Sequence, residues 1–103
     1  MTCEVEKLSG VIRIRGEMTI YDAAVIKDAL FGALQGESDV CLDLSGVSEV
    51  DTTGLQLLLM AHRACATHAV PFTVTQLSDV MRETLALLRL NVLIPTIQPE
   101  VAP

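Results

Sequence analysis

Two hydrophobic rhythms alternate along this chain, and they divide it into strands and helices. Over 3–7 and 11–15 apolar and polar residues alternate with period two, placing Ile12 and Ile14 on one face and Val11, Arg13 and Arg15 on the other. The two segments predict a hairpin turning at Ser9-Gly10. Gly16-Glu17-Met18-Thr19 reads as a loop ending in a helix cap. From there Ala23, Ile26, Ala29, Leu30 and Ala33 recur at helical spacing, with Lys27 and Asp28 outward, predicting a helix over 20–34 that ends at Gly36. A strand follows over 40–44, a Leu-rich helix over 53–67, and a strand over 71–75 led in by Pro71. Ser78-Asp79 opens a third helix, 80–90, which Asn91 closes by adopting a left-handed turn. Val92-Leu93-Ile94 reads as a last short strand, and Pro95, Pro99 and Pro103 mark the end of a domain over 1–95 and a poorly ordered tail over 96–103. Strands alternating with helices of ten to fifteen residues indicate an α/β fold.

The junction between the third strand and the second helix carries the candidate chemistry. Asp51-Thr52-Thr53-Gly54 opens the helix, where unpaired backbone N–H groups and roughly half a positive charge favour an anion such as a phosphate. Asp and Thr are also ordinary residues for starting a helix. Asp51 could cap it directly, or Thr53 could cap it with Gln56 three residues on, completing a reciprocal box; in both cases Thr52 is left unused.

This strand, loop and Asp-Thr-Thr-Gly-Leu run resembles the signature of the STAS family, the domain named after sulphate transporters and anti-sigma factor antagonists. The resemblance extends over nearly the whole chain. It implies a mixed sheet of four to five strands with about three main helices packed mostly on one face. It also implies that Thr52 is the phosphoacceptor, with Asp51, Thr53 and Gly54 as the surrounding loop. The function implied is a phosphorylation-switched, non-catalytic interaction module of bacterial signalling, whose partners are an anti-sigma-factor-type kinase or related regulator and a phosphatase. Phosphothreonine adds −1.5 to −2 charges beside Asp51 and Glu49, repulsive across an interface fitted to a neutral hydroxyl. Two departures stand out. Gly16-Glu17-Met18-Thr19 replaces the family's frequent Gly-x-Leu-Asp, and Asn91 stands where most members have Gly. The Gly-Glu-x-Thr-Ile-Tyr wording is similar to STAS proteins that accompany chemotaxis-type systems. The Asp-Thr-x-Gly loop is also similar to the constitutive STAS-type subunit of bacterial lipid-transport ATPase complexes.

Leu55, Leu57, Leu58, Leu59 and Met60 go almost all the way round the second helix, so one face must meet something besides the sheet. Leu55, Leu58 and Leu59 are assigned to the core. Leu57, Met60 and Ala61, with Gln56 and Arg63 around them, are assigned to a partner-contact surface.

Composition narrows the classes. A chain of 103 residues is one domain, and its net charge of −6, seven Lys plus Arg and three aromatic residues argue against a nucleic-acid partner. No apolar run reaches the length of a bilayer span, and Met1-Thr2-Cys3-Glu4 has no basic region followed by a hydrophobic one, so a soluble, cytoplasmic protein is expected. Cys3, Cys41 and Cys65 are odd in number and widely spaced, which suggests neither disulfides nor a zinc site, and Cys41 in a strand and Cys65 in a helix read as small core residues. His62 and His68 fall on different helix faces, and His62 shares the leucine stripe as a packing residue. No phosphate loop or acid/base pair is evident, so neither enzyme activity nor a metal or other cofactor is expected.

Overall fold

A computed structural model describes residues 3–8 and 10–90. The period-two segments become strands of one four-stranded sheet: β1 (Cys3–Leu8), β2 (Val11–Met18), β3 (Val40–Val50) and β4 (Phe72–Leu77), in the order β1-β2-β3-β4. β1 pairs antiparallel with β2, and the β2–β3 and β3–β4 pairs are parallel. Parallel neighbours require crossover connections. Here a 3-10 turn (Ile20–Asp22) and α1 (Ala23–Leu34) join β2 to β3, and α2 (Thr52–Thr67) joins β3 to β4; α3 (Asp79–Leu87) follows.

One side of the sheet is oily and the other is wet. Ile12 and Leu42 are register partners, as are Leu42 and Val74, and all are buried with Ile26 and Leu30 of α1, Leu55 and Leu58 of α2, and Met81 and Leu85 of α3. These residues belong to a single core cluster, so the three helices cover the same face. Burying each such side chain contributes about 1.5–3 kcal/mol. The opposite face carries Glu4, Glu6, Arg13, Arg15 and Asp43, whose ion pairs run across the strands: Arg15 to Glu4 at 3.2 Å and Glu6 at 3.3 Å, Arg13 to Asp43 at 3.4 Å. A mixed sheet covered on one side only must solvate the other, and this alternation does so. The α/β class, mixed sheet and three helices match the fold expected from the sequence.

Both central strands outrun their expected ends. β2 continues to Met18 and β3 to Val50, because Gly16, Glu17 and Met18 pair with Val47, Glu49 and Val50. The Ser-Gly-Val-Ser-Glu run has weak strand propensity, and tertiary pairing around the buried Met18 and Val47 overrides it. The first helix is also modified: Thr19 makes no side-chain capping bond, a 3-10 turn comes first, and α1 proper starts at Ala23. α3 stops at Leu87, with Arg89 in the left-handed region at φ 58°. The expected helix stop at Asn91, the strand over 92–94, the tail over 96–103 and Ser9 of the hairpin turn lie outside the described residues.

Candidate functional site

Asp51 is the only residue between β3 and α2, and both of its carboxylate oxygens are engaged. Oδ1 accepts the Gly54 N–H at 3.0 Å, which caps α2, and Oδ2 accepts the Ile20 N–H at 3.0 Å from the 3-10 turn. The Asp51 N–H in turn donates to the Met18 carbonyl at 3.2 Å. The N–H of Gly54 and then that of Ile20 hold its carboxyl below the ordinary carboxylate range. One carboxylate thus fastens the end of β2 to the start of α2.

Gly54 explains why these two segments can meet. A Cβ there would run into the Met18 carbonyl oxygen and lie 2.9 Å from the Met18 Cβ, so the first turn of α2 rests directly on β2 backbone. The close approach is needed for the Asp51 bridge.

Thr52 is the first residue of α2 and exposed, and among the described residues its hydroxyl has no hydrogen-bond partner. Its side chain stands free at the positive end of a 16-residue helix. Of the two caps open to the sequence, Asp51 takes the role. Thr53 makes no capping bond with Gln56; it is half-buried inside the first turn.

The exposed line of α2 beyond Thr52 runs through Gln56, Met60 and Arg63, with Met60 42% exposed. Leu57 and Ala61 do not belong to it: they are 5% and 0% exposed and lie in the core. The correction has a geometric cause. α2 packs against α1 as well as β2, β3 and β4, so its buried side extends to Leu57 and Ala61. Leu55, Leu58 and the half-buried Leu59 are core or core-flanking, as assigned.

The sequence did not single out Ile20 and Tyr21, which stand 63% and 92% exposed beside Asp51. Apolar residues directly after a cap read as the first turn of an amphipathic helix, and the 3-10 turn instead points them outward. Glu17 and Glu49, register partners on β2 and β3, lie at the same end of the sheet.

The remaining candidates lie elsewhere. His62 packs its ring against Phe72 at 5.3 Å between centroids, and His68 Nδ1 lies 3.0 Å from the Ala64 carbonyl oxygen. Burial pushes the Cys3 thiol up to about 11, helped by Asp22 and Glu4, and burial also raises Cys65. Among the described residues no three His, Cys, Asp or Glu side chains cluster to hold a metal, and no helix is long and apolar enough to cross a membrane.

Compared with known families, residues 2–95 match the family model described as "Mlab, STAS domain". The chain belongs to the STAS domain family. The fold is similar to that of an anti-sigma factor antagonist from Mycobacterium paratuberculosis, with a TM-score of 0.79 and 22% identity over 97% of this chain and 86% of that one. It is also similar to the anti-sigma factor antagonist SpoIIAA in its unphosphorylated form, with a TM-score of 0.73 and 17% identity over 95% of this chain and 88% of that one. The Bacillus cell fate determinant SpoIIAA in its phosphorylated form gives a TM-score of 0.67 and 19% identity, over 95% of this chain and 91% of that one. No curated protein matches the sequence. At these identities the likeness establishes the STAS fold, which this chain forms with its Asp-Thr-Thr-Gly run at the start of α2.

Proposed function

We propose that this STAS domain is a phosphorylation-switched protein-interaction module of the anti-sigma factor antagonist type. In its unphosphorylated form it binds a regulatory partner in the bacterial cytoplasm. A partner kinase transfers phosphate to the Thr52 hydroxyl and ends the contact, and a phosphatase restores it. The observation that carries this is the free, exposed Thr52 hydroxyl on the first turn of α2, held in place by Asp51 on one side and the Gly54 contact on the other. Phosphate at that point is compatible with the domain itself, since a helix start favours negative charge. It adds bulk and charge to a surface fitted to a hydroxyl. Gln56, Met60 and Arg63 form the adjoining contact line. The domain is then a substrate and a ligand, with no catalytic role.

Incubation with the kinase from the native cell should add one phosphate, abolished by Thr52→Ala and largely kept by Thr53→Ala, as read by intact and peptide mass. Phosphate mapping to Thr53, Ser45 or Ser48 would defeat the assignment. Thr52→Glu should weaken partner binding by more than Thr52→Ala, and Met60→Glu should weaken it while leaving thermal unfolding nearly unchanged.

A second reading is favoured by the description of the matching family, "Mlab, STAS domain". In it the domain is a constitutive subunit of a lipid-transport ATPase complex, and Thr52 is an interface residue never phosphorylated. Stable copurification with an ATPase, with only unmodified Thr52 in the native material, would select it.

A further inference from the structure

On the wet face of the sheet Glu4, Glu6 and Asp43 each have an arginine partner, and among the described residues two carboxylates at one end have none. Arg15 answers Glu4 and Glu6, and Arg13 answers Asp43. Glu17 and Glu49 are direct cross-strand neighbours, and the burial of Met18 and Val50 against the core turns both carboxylates outward. Among the described residues neither has a cationic partner. Like charges set opposite one another in a sheet repel, so this pair gains from any cation brought to it.

Just past Glu17 the chain turns through Ile20–Asp22 and holds two large apolar side chains in water, Ile20 at 63% and Tyr21 at 92% exposure. The turn is held at both ends. The Ile20 N–H donates to Asp51 Oδ2 at 3.0 Å and the Asp22 N–H to the Thr19 carbonyl at 3.1 Å. An exposed tyrosine on a fixed turn loses little freedom on binding, and such aromatics carry much of the energy of interfaces.

We propose that Ile20 and Tyr21 form a docking knob that enters an apolar cleft on a partner protein, with the Glu17–Glu49 pair beside it receiving arginine or lysine side chains from the cleft's rim. This rests on the reading of Thr52 as a switch and names the partner chemistry at that site. The net charge of −6 acts in the same sense at longer range. Asp51 is the positioning residue that joins knob to switch. A phosphate on Thr52 repels the adjacent carboxylate and competes with it for the N–H groups at the helix start. Its hold on Ile20 N–H loosens, and the knob loses its fixed geometry.

The test places a photo-crosslinking phenylalanine analogue at position 21, or at position 87 as control, in the full chain expressed in its native cell. The adduct is identified by mass spectrometry, and the purified adduct protein is titrated against variants at two salt concentrations. Position 21 should crosslink to a protein through a basic, apolar-lined surface. Tyr21→Ala should weaken binding at least tenfold, and the double variant Glu17→Gln, Glu49→Gln should weaken it at low salt and flatten its salt dependence. Leu87→Ser should stay within twofold. Absence of an adduct at position 21, an adduct only between two copies of this chain, binding by Tyr21→Ala within twofold, or an unchanged salt slope in the double variant would each overturn the knob. If Thr52→Glu weakens binding while Tyr21→Ala does not, the knob is wrong and the switch stands. The reverse result keeps the knob and removes the switch.

Discussion

Asp51 does two jobs with one carboxylate, and only one of them could be read from the sequence. Its place before a Leu-rich run marks it as a possible cap. Its bond to Ile20 N–H joins residues 31 apart and depends on how β2 and β3 align, which no local pattern encodes. Asp51→Ala should cost about 1–2 kcal/mol at pH 7, the upper part of the range for a lost cap because two N–H groups lose their acceptor. The folded-state pKa is depressed, so the carboxylate's contribution is fully present above its unfolded value, about 3.9, and is lost as pH falls through the folded value. Denaturant unfolding of wild type and variant should therefore give a constant gap from pH 7 down to about pH 4 that shrinks progressively as pH falls further, through the depressed folded value. A gap that stays constant over the whole acid range below about pH 4 would assign the effect to shape, with no part for charge. Leu57 shows the opposite failure of legibility: its helical position allowed either surface or core, and the packing of α1 beside α2 decides for core.

At the scale of elements, the two ends of α2 predict substitutions of opposite sign. Glycine inside a helix normally costs about 1 kcal/mol relative to alanine, so Gly54→Ala would stabilise an isolated α2. In the folded domain the new Cβ meets Met18 backbone, which cannot swing aside as a side chain would. Gly54→Ala should instead destabilise by about 1–3 kcal/mol through overpacking. At the other end Ala69 sits at φ 56°, donating to the Ala66 carbonyl at 3.1 Å while Val70 N–H reaches the Cys65 carbonyl at 2.8 Å. That is a Schellman closure with alanine in the left-handed position glycine prefers. Ala69→Gly should gain about 0.5–1 kcal/mol, because the strain relieved exceeds the added freedom of the unfolded chain. Thermal unfolding of the two variants should move in opposite directions from wild type. A stabilised Gly54→Ala would mean that α2 does not rest on β2 as closely as described. The sequence marked Gly54 as part of a motif, but its physical reason is a contact with a residue 36 positions earlier.

At the scale of the whole molecule, the sheet has one face under three helices and one in water, and the three free cysteines sample both. Cys3 is 2% exposed and Cys65 is 5% exposed, with both thiols pushed up by burial, in Cys3 to about 11. Cys41 lies on β3 between the buried Val40 and Leu42, so it projects to the open face and is partly accessible. The sequence assigned Cys41 to the core, because its apolar neighbours in Val-Cys-Leu conceal a period-two alternation; its true side is fixed by the register Val40↔Phe72 and Leu42↔Val74. The alternation itself was legible in β2, where charged residues mark the wet side. In native buffer at pH 8 a small alkylating reagent should therefore modify Cys41 first, since thiolate fraction and access both limit the reaction. Cys3 and Cys65 should react only as the domain opens, at a rate that rises with denaturant. Peptide mass analysis over time separates the three sites. Early modification of Cys3 would mean that the edge strand β1 opens well below global unfolding; protection of Cys41 equal to that of Cys65 would mean that something covers the open face, and with it the unpaired Glu17 and Glu49.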